Sequence, residues 1–236
     1  MRRAVLAVLA ISLVAVLGCQ QQKPPEKPKV TIPKGSVLVK RDLLDVFVDQ
    51  AEIRMQDAQA ALKKRDTAGA ARDIRLTIAY MKLQATVATK NHKKGILAAA
   101  SDLDRIATSL ENGEAVSSGV VSAAFGRANY VLARHHHQKA VAATKAGAGQ
   151  KLKRQLLAAA GAVEAAVKWT GGKPTTEDKA SVAAVKSLAD KIGQGGEWTK
   201  EEANAVLSGL KGQIDKLKAV VEPEPPAASA PTGGGS

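Results

Sequence analysis

Apolar side chains recur along most of the chain at spacings of three and four, the period of one face of an α-helix. Leu44, Val48, Ala51, Met55, Ala58 and Leu62 form a first stripe, and Ala203, Leu207, Leu210, Ile214, Leu217 and Val221 form a last one. Between them run Ile74, Ile78, Met81, Ala85 and Ala88, then Ile96, Ala100, Leu103, Ala107 and Leu110, then Leu152, Leu156, Ala159, Val163 and Val167. Turn-forming residues interrupt the pattern at Arg65-Asp66, Asn91 to Gly95, Asn112-Gly113, Ala146 to Gly149, Gly171 to Pro174 and Gly193 to Gly196. Thr175 with Asp178, and Thr199 with Glu202, have the spacing of a capping box, in which hydroxyl and carboxylate satisfy free amides at a helix start.

The pattern predicts an all-α fold of about seven helices over 41–64, 67–90, 95–110, 118–145, 150–169, 177–193 and 200–221. Short connections make successive helices antiparallel neighbours, so the expected architecture is an elongated antiparallel helical bundle or a short stack of helical hairpins. A faint repeat accompanies it. Ala88-Thr89-Lys90 before Leu97 to Ala100 returns as Ala143-Thr144-Lys145 before Leu157 to Ala160, which duplication of a two-helix unit and chance in an Ala-rich chain explain equally well.

Composition supports close-packed helices. The 236 residues are 45% apolar but only 3% aromatic, so Ala, Leu, Val and Ile supply the core, which argues against a β-sandwich; collagen, a disulfide scaffold and a wholly disordered chain are excluded as well. Charge is the other oddity, with 35 Lys+Arg against 22 Asp+Glu for a net +13.

The first residues carry a different signal. Met1-Arg2-Arg3 precedes an apolar run from Ala4 to Leu17, shorter than the roughly 20 residues that span a bilayer, and Gly18-Cys19 closes it. Val16-Leu17-Gly18-Cys19 resembles the lipobox of bacterial lipoproteins, although a small residue is more usual at the position of Leu17. The resemblance covers residues 1–19 and implies a cleaved signal peptide over 1–18, a diacylglyceryl group with palmitate-type acyl chains on Cys19, and a protein anchored to a membrane, facing the periplasm or cell exterior. By the same resemblance, Gln20 after the cysteine implies the outer membrane over the inner one where there is one. Cys19 is the only cysteine, so no disulfide forms within the chain.

Residues 19–36, with Pro24, Pro25, Pro28 and Pro33 among Gln and Lys, read as an extended tether of about 50 Å at roughly 3.1 Å per residue. The all-helical domain then covers 37–222, and 223–236 reads as a disordered Pro/Ala/Gly tail.

Two features are candidates for chemistry. His135, His136 and His137 stand in a row, but consecutive helical residues point about 100° apart and fan out instead of converging on a metal ion. His135 falls on the apolar stripe and reads as a packing histidine, whereas His136 and His137 are expected to face outward; metal binding through these histidines would need His92 or a second chain. The second feature is an interval without any acidic residue from Ala115 to Val163, which holds Arg127, Arg134, Lys139, Lys145, Lys151, Lys153 and Arg154, with Lys90, Lys93 and Lys94 in a preceding turn. Of these, Lys93, Lys94, Arg134, Lys139, Lys145, Lys151, Lys153 and Arg154 are the candidate anion-binding residues, and a solvated basic face is the plain alternative.

The scattered aromatics provide no stacking array, which weighs against nucleic acid as a partner. Asp42, Asp45, Asp49 and Glu52 read as ordinary exposed-face patterning. No catalytic or phosphate-loop motif occurs and no cofactor is implied. The expected protein is a non-catalytic envelope lipoprotein, an adaptor or binding module that offers a basic surface to anionic lipid, lipopolysaccharide, teichoic acid, peptidoglycan or another envelope protein. The alternative is a periplasmic metal- or small-ligand-binding protein that uses His135 to His137.

Overall fold

The computed structural model describes residues 50–222. The expected signal peptide, Cys19, the tether, the start of the first helix and the C-terminal tail lie outside the described residues. Within them the fold is all-α: α1 (Gln50–Lys63), α2 (Thr67–Val87), α3 (Lys90–Glu111), α4 (Ser118–Lys145), α5 (Gly149–Trp169), α6 (Thr176–Gly193) and α7 (Lys200–Val221). No helix among them is long and apolar enough to cross a membrane.

Helix ends form where local chemistry satisfies the free backbone groups. Both expected capping boxes are present: Thr175 Oγ1 and Thr199 Oγ1 accept from the amides of Asp178 and Glu202, whose carboxylates accept in return from the Thr175 and Thr199 amides. At the other ends the chain reverses in left-handed geometry. Gly147 takes φ 65° after α4, a value open to glycine because it has no Cβ, and Arg65 takes φ 60° between α1 and α2 without that freedom.

One boundary differs from expectation. The break before α3 falls at Ala88 and Thr89, both extended, and not over Asn91 to Gly95, which lie inside the helix. Thr89 does not cap the helix; its hydroxyl instead meets His92 Nδ1 at 3.0 Å and donates to Gln138 Oε1 at 3.1 Å, so a contact to α4 fixes the turn. The repeat is unequal for the same reason, since Ala88-Thr89-Lys90 crosses a helix break while Ala143-Thr144-Lys145 sits in the last turn of α4.

Successive helices pack on one another, and α4 also packs on α7 and touches α1 through Asn129 and Met55. Helix α4 is therefore the central one, with Phe125, Ala128, Tyr130, Leu132, Ala133 and Ala140 buried on several sides. Its most extensive partner is α5. Small residues bring those two backbones together: Ala158, Ala159, Ala160 and Ala166 are buried on α5, and a Cβ at Gly126 of α4 would stand 2.9 Å from Thr170 Cγ2. Leu103, Leu152, Leu156 and Leu210 fill the remaining space; each fully buried Leu contributes about 1.5–3 kcal/mol.

Candidate functional site

The histidines do not face outward as expected for His136 and His137. His135 and His136 are each only 1% exposed, and His137 is half-buried. The fan of directions is real, but α4 is enclosed on three sides and each ring meets a different helix. His135 reaches toward α3, its ring centroid 6.5 Å from that of His92. His136 Nδ1 donates to Gln155 Oε1 of α5 at 2.8 Å. His137 Nε2 donates to the carbonyl of Leu207 on α7 at 3.0 Å, which fixes the proton on that nitrogen.

All four histidines of the chain thus form one polar layer across the bundle. Burial, reinforced by the charge of Arg134, holds His92 below the ordinary imidazole value. Burial also lowers His137, opposed by its bond to Leu207 and assisted by Lys211. Among the described residues no group of three or more His, Cys, Asp or Glu side chains is arranged to hold a metal ion.

Glu52 departs from the expected exposed-face role. It is half-buried, and Oε2 accepts from Trp169 Nε1 at 2.9 Å and from Asn129 Nδ2 at 3.1 Å. The carboxylate ties α1 to α4 and α5, beside a cavity of about 220 Å³ that His136 also lines. Nothing in the sequence marked Glu52 apart from its neighbours, because its partners stand 77 and 117 positions away.

The candidate basic residues gather toward one end of the bundle. Antiparallel packing places the α2–α3, α4–α5 and α6–α7 connections together there. Lys93 and Lys94 are exposed in the first turn of α3, Lys145 in the last turn of α4 and Lys151 in the first turn of α5. Arg134 is exposed about three turns before the end of α4, its guanidinium 5.6 Å from the centre of the Tyr130 ring. Helices α3 and α5 have no acidic residue in their first turns, so their positive dipole ends add to these charges.

Three candidates are placed differently. Lys153 and Arg154 are half-buried, and Lys153 Nζ packs against Gly193 at the end of α6, where a cation complements the helix dipole. Lys139 is also half-buried.

The end is not wholly free of acids in space. Trp198 of the α6–α7 connection packs beside Gly149, bringing the first turn of α7 close, and there Glu202 is engaged by Lys191 at 2.8 Å and by the Thr199 amide. Elsewhere Arg54, Arg75, Arg105, Arg127, Lys186, Lys211 and Lys216 all stand within ion-pair distance of carboxylates. Among the described residues no carboxylate is that close to Lys93, Lys94, Arg134, Lys145 or Lys151. Against known family models, curated proteins and solved structures, the chain finds no match.

Proposed function

We infer that this chain is a lipid-anchored, non-catalytic helical module of a bacterial envelope, whose basic end engages an anionic envelope component. The observation that carries the binding half is the charge at the α2–α3 and α4–α5 connections. Lys93, Lys94, Lys145 and Lys151 are exposed there without a carboxylate at ion-pair distance among the described residues, whereas Arg54, Arg75, Arg105, Arg127, Lys186, Lys211 and Lys216 elsewhere on the bundle are paired. Unpaired cations near two helix N-termini raise the local potential and attract phosphate or carboxylate groups. The anchoring half rests on Val16 to Cys19.

Each half has its own test. Cys19→Ala releases the protein from membranes in cell fractionation, and unchanged retention contradicts the anchor. Lys93, Lys94, Lys145 and Lys151, all replaced with Gln, weaken binding of the full chain to isolated envelope fractions at low salt; unchanged binding contradicts the basic-end reading.

A further inference from the structure

At the opposite end of α4, a cleft of about 1000 Å³ opens between α3, the first turn of α4, the end of α5 and the end of α7. Its walls include Val120 and Val220, which are 53% and 58% exposed and are two of the six large apolar side chains left substantially in water among the described residues. Single exposed apolar residues are ordinary, but two lining one cleft beside Val116, Ile106 and Trp169 form a wetted apolar wall.

Charge accompanies that wall. Arg105, Arg127 and Lys168 line the cleft against one carboxylate, Asp102, which accepts from Arg105 Nη2 at 2.5 Å and Arg127 Nη1 at 2.6 Å. The cleft therefore keeps a positive excess, with Lys168 Nζ held 5.6 Å from the Trp169 ring. Of the nearby carbonyls, that of Val221 accepts from Arg127 Nη2 at 3.4 Å, while those of Ala166, Lys168 and Val167 at the end of α5 accept from the amides of Thr170, Gly171 and Gly172. Helix α4 begins at the cleft with no acidic residue in its first turn.

We propose that this cleft binds a single-chain anionic amphiphile, a long-chain carboxylate. Its alkyl chain lies along Val116, Val120 and Val220, and its headgroup takes charge-assisted hydrogen bonds from Lys168 and the free edge of Arg105, while Arg127, held by Asp102 and the Val221 carbonyl, adds its charge. A volume of this size is that of a small-ligand pocket, which fits one chain and not a bilayer surface. The site is remote from the basic end, and its failure leaves the proposed function untouched.

The test uses the full chain carrying Cys19→Ala and Trp198→Phe, which leaves Trp169 as the only tryptophan. Sub-micellar dodecanoate shifts Trp169 emission saturably, dodecanol binds at least about tenfold more weakly, and inorganic phosphate has no effect. Lys168→Gln with Arg105→Gln, both exposed positions, weakens dodecanoate binding by about tenfold, and Val120→Asp abolishes it while helicity is retained. If Trp198→Phe fails to fold, calorimetry on the protein with both tryptophans reads the same titration.

Equal binding of dodecanol, no saturable binding of dodecanoate, or no effect of the variants overturns the proposal. A response to phosphatidylglycerol vesicles alone assigns the cleft to a membrane surface. A response that follows protein concentration without ligand assigns it to a second copy. Either of these outcomes also overturns it.

Discussion

Trp169 Nε1 donates a hydrogen bond to Glu52 Oε2 over 2.9 Å and so fastens the end of α5 to the start of α1. Asn129 of α4 donates to the same oxygen, and both donors are held where water has little access. Removing the acceptor leaves two N–H groups without it, a cost of about 1–3 kcal/mol. Glu52→Ala should lower the urea midpoint accordingly, and Glu52→Gln, which keeps an oxygen acceptor, should lower it less. An unchanged midpoint in the alanine variant would contradict this role.

The α4–α5 contact depends on a missing side chain. At Gly126 a Cβ would meet Thr170 Cγ2 at 2.9 Å, so Gly126→Val forces the two helices apart at a cost of about 1–3 kcal/mol. Adding Thr170→Ser removes the opposing methyl and should recover part of the loss. Strictly additive effects in the double variant would place the strain elsewhere.

Arg65 sits at φ 60° in the α1–α2 turn. A residue with a Cβ is disfavoured there, and Arg65→Gly should raise stability by about 0.5–1 kcal/mol, the relief being larger than the glycine's added chain entropy. Thermal unfolding reads this directly; a lower Tm would count against it.

Stability should also depend on pH through the histidine layer. His92 and His137 both bind protons more weakly in the folded protein than in the unfolded chain, chiefly because burial penalises the charged ring. Below the unfolded value of about 6.5 the unfolded chain therefore takes up more protons, and stability rises with pH across that window. The contribution is complete above about pH 6.5 and is lost as pH falls toward the folded values. Tm should drop between about pH 7 and pH 5, and His92→Gln with His137→Gln should flatten the slope. A slope unaltered by the pair would exclude these two rings as its source.

How much of this was legible depended on whether a residue's surroundings were local. The helix 200–221 follows from an unbroken three-four period opened by a capping box, and it and the helix 118–145 stand with the bounds expected. The α2–α3 break was misplaced because Asn91 and Gly95 are turn-forming types that α3 accommodates, while the true break at Ala88 and Thr89 is fixed by Gln138 on another helix.

His136 and His137 were misread for a related reason. An inside-outside division of one helix fails when the helix is central, and at this level the exposed side of α4 is taken by Arg134 while His136 and His137 meet α5 and α7. The absence of acidic residues from Ala115 to Val163 marked that enclosure, although it was read only as charge. The same interval pointed to Lys145 and Lys151, which are exposed at the α4–α5 turn, but included Lys153 and Arg154, which are half-buried.

The central claim is that unpartnered cations at one end of the bundle bind an anionic envelope component, and its most direct test is the salt dependence of affinity for purified lipopolysaccharide. The full chain carrying Cys19→Ala should bind at low salt and weaken steadily as ionic strength shortens the reach of its charges. Replacing Lys93, Lys94, Lys145 and Lys151 with Gln should cost at least about tenfold at low salt and flatten the salt dependence, with Tm unchanged. The same exchange at the exposed Lys82 and Lys218 should have little effect. Equal affinity and equal salt dependence in the fourfold variant and the parent would contradict the account.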